Sequence, residues 1–205
     1  MARRHAVIFE DQDLRIPEDA FTYEGFHRWL DSGEFPETGR IDYLAGVVEI
    51  DMSPEDLYTH GIVKTAIGSA LHQLVVGRLG EVYIDRARIS SRFAGLSVEP
   101  DVAVVLFETL KTGRVRYVPA AVHEPDRYSR MEGAPDLAIE VVSDGSKSKD
   151  LKRLPPLYAK AGIPELWLAD ARGRNVSFQI HALEKGKYVP VEADAEGWTR
   201  SPRLG

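Results

Sequence analysis

Two carboxylates stand where the sequence gives them no obvious partner. Glu140 lies between Ile139 and Val141 in the run "PDLAIEVVSD", a string of β-formers with apolar neighbours on both sides of the acid. Asp101 heads a second apolar run, "EPDVAVVLF", from Glu99 to Phe107. An ionised carboxylate in a strand covered on both faces is costly unless it is paired, hydrogen-bonded or bound to a metal. If the two strands are neighbours, Asp101 and Glu140 converge on one hard cation, Mg²⁺ or Mn²⁺, with the backbone carbonyl of Val141 as a further oxygen ligand. Such an ion stabilises a pentavalent phosphorus centre and turns bound water into hydroxide. A second reading stays open: an arginine such as Arg86 or Arg88, or backbone donors, satisfies the same two acids.

The elements that must position these acids follow from periodicity and punctuation. "IPEDAFTYEGFHRWLDSG" predicts a short covering helix with Pro17 at its first position and Gly33 as its stop. "GRIDYLAGVVEIDMSP" predicts a hairpin turning at Ala45-Gly46 and ending at Pro54. Val63, Ile67, Ala70, Leu71 and Leu74 form an apolar stripe at helical period within residues 55–79. Three strands follow, "EVYID", "ARISSRF" and "SVEPDVAVVLF", then a polar segment, 108–133, that receives no assignment and is read as a loop over the site. After the Glu140 strand, residues 149–161 read as a helix stopped by Gly162, with Pro155-Pro156 forcing either a start near Leu154 or a kink. "ELWLAD", "NVSFQIHAL" and "KYVPVEA" close the chain as strands, Trp167 among them as a core aromatic. The expected organisation is an N-terminal extension at 1–38, a domain at 39–192 and a tail at 193–205. The expected fold class is α/β (α+β), a mixed central sheet flanked by helices.

The 205 residues suffice for one core, and 12 prolines and 17 glycines punctuate it without any low-complexity segment. With no cysteine, disulfides, thiolate catalysis and Cys-type zinc sites are excluded. The basic start "MARRH" is followed only by residues 6–9 before acids intervene, and no run reaches the roughly 18 apolar residues of a membrane span, so a cytoplasmic location without membrane contact is expected. A net charge of −6 argues against a surface coated for non-specific DNA binding but leaves room for a local basic patch, of which "KSKDLKR" is the clearest. The chain has no GxGxxG or GxxxxGK[ST] phosphate loop and no GxSxG elbow, so those enzyme classes recede.

The order "YLAGVVEIDMSP…H", "EPDVAVV", "PDLAIEVVSDGSKSKD" and "LYAKAGIPELWLADARG" resembles the Uma-type restriction endonucleases of the PD-(D/E)XK nuclease superfamily, over residues 39–188. The resemblance implies a restriction-endonuclease-like core and a Mg²⁺- or Mn²⁺-dependent endonuclease acting on DNA. It places the superfamily's Pro-Asp acid on Asp101 and its strand glutamate on Glu140. Asp42, Glu49 and Asp51 compete for an early acid. His60 falls where the family has a histidine at a helix start; it assists water or phosphate, or it is a surface or capping residue.

One departure is consequential. The superfamily lysine belongs two residues after the strand glutamate, where this chain has Val142, and the alternative position in the following helix is Leu154. A substitute must come from Lys147, Lys149, Lys152 or Arg153, with Lys149 the first choice and Lys152 the second, because an ammonium on a flexible stem can orient water and stabilise phosphate charge from another backbone position. Three functions follow: a DNA endonuclease acting as a homodimer on two strands, a nuclease-fold domain that has lost catalysis and binds nucleic acid or protein, or a hydrolase for another phosphate ester.

Overall fold

The computed structural model describes residues 6–9, 12–120 and 126–205; the basic start, residues 1–5, lies outside them. Strands β1 (Ala6–Phe9) and β2 (Gln12–Arg15) form a two-stranded antiparallel ribbon. A 3₁₀ turn, Glu18–Phe21, leads into α1 (Tyr23–Leu30), whose N-cap Thr22 accepts from the Gly25 amide at 3.0 Å. The hairpin of β3 (Arg40–Leu44) and β4 (Val47–Asp51) turns at Ala45 and Gly46, with φ of 48° and 95°. A π-helical turn, Leu57–Ile62, runs directly into α2 (Val63–Val75).

Strands β5 (Gly80–Ile84), β6 (Ile89–Ser91), β7 (Leu96–Val98) and β8 (Val102–Leu106) follow. The segment that the sequence left unassigned contains α3 (Phe107–Lys111), β9 (Val115–Pro119) and β10 (Tyr128–Gly133). Next come β11 (Leu137–Val141), a second π-helical turn at Lys149–Arg153, and α4 (Leu154–Ala161). The proline pair is accommodated because the α-helix proper starts at Leu154, so both prolines fall in its first turn. Strands β12 (Glu165–Asp170), β13 (Ser177–Glu184) and β14 (Lys187–Pro190) complete the chain.

Where the sequence suggests one central sheet, the structure has two, each six-stranded and mixed. Sheet one runs β4-β3-β7-β6-β10-β9, with β6 and β10 parallel. Sheet two runs β14-β13-β12-β11-β8-β5, with β11 and β12 parallel. The physical cause of the split is proline. The run expected as one strand, "SVEPDVAVVLF", is broken at Glu99-Pro100, because a proline nitrogen cannot donate to a ladder. The chain leaves sheet one after β7 and enters sheet two at β8. Ala134-Pro135 makes the same crossing from β10 to β11. Each crossing delivers an aspartate, Asp101 or Asp136, to the seam between the sheets.

Period-two alternation assigns the faces of sheet two. Val102, Val104, Leu137 and Ile139 pack outward against Leu71 and Val75 of α2. Ala103, Val105 and Ala138 pack inward with Ile89, Leu96 and Val98 of sheet one and with Leu154 and Tyr158 of α4. Phe26 and Trp29 of α1 cover the other face of sheet one at Ile41 and Tyr43. The segment after residue 192 returns to sheet two, where the Ser201 hydroxyl and Arg203 amide donate to buried Glu165 at 3.0 and 2.5 Å.

His27 on the buried face of α1 gives this core a pH dependence. Its ring stacks 4.3 Å from Tyr23, and its Nε2 finds no hydrogen-bond partner among the described residues. Burial, reinforced by the Arg130 charge, holds its pKa down at about 4 from 6.5. The unfolded chain therefore binds a proton that the folded chain refuses, so this contribution is complete above pH 6.5 and is lost as pH falls towards about 4. The loss reaches about 3 kcal/mol at most. Urea melts are expected to show that His27→Leu loses less stability than wild type between neutral pH and about pH 4; equal losses would contradict the assignment.

Candidate metal centre at the seam of the two sheets

β8 and β11 are neighbours, antiparallel, with Ile139 opposite Val102. Continuing that register by one pair sets Glu140 opposite Asp101, on the face that looks into the space between the sheets. The Val141 amide donates to Asp101 Oδ2 at 2.7 Å, tying the two strands together at the site. Both acids are buried, at 1% and 2% exposure. Asp42 reaches the same space from β3: Ile41 and Tyr43 face α1, whereas Asp42 and Leu44 face inward.

Each acid has a different cation or donor. Arg40 Nη2 donates to Asp101 Oδ1 at 2.9 Å, and His60 Nε2 lies 3.3 Å from Asp101 Oδ2. Lys149 Nζ donates to Asp42 Oδ2 at 2.5 Å with only 4% of its side chain exposed. The Tyr158 hydroxyl donates to Glu140 Oε1 at 2.5 Å. Asp150 joins from the second π-helical turn, accepting from the Ser146 hydroxyl. Both π-helical turns thus carry site residues, His60 on one and Lys149 with Asp150 on the other, a use to which such turns are often put.

Four carboxylates, Asp42, Asp101, Glu140 and Asp150, therefore share this space with the permanent cations Arg40 and Lys149. The titration behaviour reflects the shortfall. Burial would raise Asp101, but the His60 contact, the Arg40 charge and the Val141 amide outweigh it and keep the group ionised. Glu140 goes the other way: burial and then the charges of Asp101 and Asp150 push it well above the carboxylate range against the Tyr158 bond and Lys149. Burial lifts Asp150 to about 6 despite Ser146 and Lys149. On the cationic side, burial disfavours the charge on Arg40 and Lys149, yet Asp101 and Asp42 respectively hold both above their ordinary values. Arg88, 3.9 Å from Asp42, is shared with Glu99, and His60, on Asp101, is shared with Glu55, so ionising all four acids calls for positive charge that a divalent cation would add, and the donors are the hard oxygens that Mg²⁺ and Mn²⁺ take. These residues fit such an ion. A second oxygen and imidazole grouping adjoins them, in which ligand atoms of Glu55, His60 and Asp101 all lie within 4.8 Å of one another.

A cavity of about 370 Å³ gives access from solvent, walled by Arg40, Asp51, Ser53, His60, Arg86 and Ser146 among others. Of the early acids, Asp42 is the one buried against Lys149. Glu49 and Asp51 pair across the hairpin with Asp42 and Arg40 and lie farther out, Glu49 on Arg153 and Asp51 on the Ser53 amide and hydroxyl. Lys152, Lys147 and Arg153 are exposed, so within "KSKDLKR" Lys149 turns inward and the patch is not uniformly a solvated surface. His60 is buried at 5%, and the capping role belongs to Asp56, which accepts from the Tyr58 and Thr59 amides. The arginine that satisfies Asp101 is Arg40; Arg88 donates to Glu99 and Arg86 to the Glu37 carbonyl. Sequence reasoning missed Arg40, Glu55 and Asp150. Their signal was weak: single charged residues at the edges of elements, resolved only by register.

The second Pro-Asp dipeptide has a different fate. Asp136 is fully buried but accepts from the Leu106 amide at 2.8 Å and the Thr109 hydroxyl at 2.9 Å, and pairs with Arg114 and Arg203. Its charge is fully spent on structure.

The family described as Uma2, "Putative restriction endonuclease", matches residues 23–205. Among solved structures, a "putative nuclease belonging to DUF820" from Anabaena variabilis ATCC 29413 superposes with a TM-score of 0.63, covering 89% of this chain and 90% of that one at 18% identity. At that identity the likeness speaks for the fold. No curated protein matches the chain.

The Asp42–Lys149 pair generates a stability test. Removing one partner of a buried pair leaves an uncompensated charge and costs about 3–5 kcal/mol, whereas removing both is far milder. Lys149→Met is expected to lower the urea midpoint sharply and Asp42→Asn with Lys149→Met to recover most of the loss; a single variant as stable as the double would contradict the pairing.

Proposed function

For this chain, which belongs to the Uma2 family, we propose the function of a metal-dependent endonuclease that hydrolyses phosphodiester bonds in DNA. The observation that carries the reading is geometric: Asp101, one residue before β8, and Glu140 of β11 are buried carboxylates brought together by the β8–β11 register, and Asp101 is contacted by Arg40 and His60, which wall a solvent-connected cavity. Asp101, Glu140 and the Val141 carbonyl would hold Mg²⁺ or Mn²⁺. When bound, such an ion supplies Lewis acidity towards a phosphoryl oxygen and lowers the pKa of a coordinated water.

The protein's own side chains do the rest. Tyr158 fixes the orientation of Glu140 from behind. Lys149 takes the part of the lysine absent from positions 142 and 154: from Asp42 it holds a permanent charge beside Glu140, where it orients water and offsets developing phosphate charge. Lys152, exposed on the same turn, is the alternative source of that charge. Arg40, partly open to the cavity, presents a planar guanidinium suited to a non-bridging phosphate oxygen. His60 lies between Asp101 and Glu55, which outweigh burial and hold its pKa above the ordinary value, so it presents a protonated imidazole at the cavity wall that can hydrogen-bond water or phosphate. A homodimer would bring two such sites to the two strands of a duplex. No helix among the described residues is long and apolar enough to cross a membrane, and a cytosolic, membrane-free location belongs to this reading.

One observation favours a second reading, a nuclease-fold domain that binds without cutting: both positions where the lysine is expected are apolar and buried, Val142 at 0% and Leu154 at 1%. A supercoiled-plasmid nicking assay, paired with calorimetric titration of Mg²⁺ and Mn²⁺, separates the two. Wild type is expected to bind metal and nick, while Asp101→Asn and Glu140→Gln remain folded and lose at least about 10²-fold in nicking rate. DNA retention without turnover by wild type would replace the nuclease with the binding domain, and unimpaired nicking by Glu140→Gln would remove Glu140 from the site.

A further inference from the structure

A second cavity, of about 460 Å³, opens beside the carboxylate pocket, and Asp85 and Arg86 form a wall common to both. These two residues have φ of 56° and 48°. Two consecutive non-glycine residues in the left-handed region are a strained connection of the kind that persists at ligand sites. Asp85 is held there by Lys64 at 2.8 Å, and Arg86 by the Glu37 carbonyl at 2.7 Å.

The far side of this cavity is aromatic. Tyr83 of β5 and Tyr117 of β9 sit on edge strands of different sheets, and their hydroxyls, 2.9 Å apart, both reach Glu81 Oε2, Tyr117 at 2.7 Å. That triad closes the seam between the sheets and fixes both rings. Tyr128 of β10 leans on Tyr117 with centroids 5.4 Å apart and is 53% exposed. The cavity's charges balance: Glu81, Asp85 and Asp126 against Arg86, Arg88 and Arg130. Two of those cations are already engaged, Arg88 by Glu99 and Arg130 by Asp31. Phosphate binding needs free cations, so this cavity suits a flat, uncharged group better.

We infer that the cleft of Tyr83, Tyr117 and Tyr128 receives a nucleobase unpaired from the strand whose backbone lies in the carboxylate pocket. The exposed face of Tyr128 is the stacking platform, and the Glu81 carboxylate accepts from a base N–H. The inference rests on the nuclease reading for the neighbouring pocket and narrows its substrate to a strand with at least one base out of its stack. A base already unpaired enters at no unstacking cost, so single strands bind better than duplex.

The test is fluorescence anisotropy in EDTA, so that nothing is cut, with three labelled probes of equal phosphate count: a mixed-sequence single strand, its duplex, and an abasic strand carrying phosphates and sugars alone. Wild type is expected to prefer the single strand over both others. Tyr128→Ala is expected to weaken the single strand about tenfold, the scale of one stacked base, and to leave the abasic strand and the Mg²⁺ titration unchanged. Tyr128 lies outside the Glu81 triad and is exposed, so its truncation spares the core. Equal affinity of wild type for single and abasic strands, or of Tyr128→Ala and wild type for the single strand, overturns the inference even if plasmid is nicked. Tyr128-dependent binding in a protein that neither binds metal nor nicks upholds the cleft and removes the nuclease reading instead.

Discussion

The structure is organised around an electrostatic shortfall. Asp42, Asp101, Glu140 and Asp150 are drawn into the seam between two sheets, with Arg40 and Lys149 as cations among them and Arg88 shared between Asp42 and Glu99. A fold that needed only stability would fill this space with apolar side chains, since buried ion pairs seldom improve on hydrophobic packing. Burial first, and then the charges of neighbouring carboxylates, raises Glu140 well above the carboxylate range and Asp150 to about 6. Every neighbouring element can be understood as holding this cluster in place, including Tyr158 behind Glu140 and the π-helical turns that aim His60 and Lys149 inward.

The seam itself depends on two prolines. Pro100 and Pro135 stop the ladders of sheet one and force the chain across to sheet two, so that each following aspartate arrives at the junction of the sheets. The two dipeptides are alike in sequence and opposite in role. Asp136 meets a hydroxyl, an amide and two guanidiniums and is spent on structure. Asp101 meets Arg40, His60 and the Val141 amide while standing opposite another carboxylate. What separates them is the company that register provides, which a dipeptide motif does not carry.

Much of this was legible from the residues. An acid flanked by Ile139 and Val141 in a doubly covered strand demanded a partner, and the Ala45-Gly46 turn, the stop at Gly162 and the helix around Leu71 all follow from local chemistry. The division into two sheets was not, because Val98 and Val102 on either side of Glu99-Pro100-Asp101 both carry β-forming runs that read as one strand. Asp42, Glu49 and Asp51 could not be ranked because all three project from the same face of the hairpin, and burial alone distinguishes Asp42. Lys149 was one of several cations in a short run until the π-helical turn rotated it away from Lys147 and Lys152. Arg40 gave only the weak signal of a charged residue at a strand edge: its role exists because β3 lies across the seam from Asp101.

The most direct test of the seam as a divalent-cation site is a crystal structure of the wild-type protein soaked in Mn²⁺, with anomalous diffraction used to locate the ion. One anomalous peak within coordination distance of Asp101 and Glu140, about 2.0–2.3 Å for a hard cation of this size, is the expected result. No peak at saturating Mn²⁺, or a peak held by Glu55 and His60 with Glu140 still bonded to Tyr158 and outside the ligand set, would contradict it.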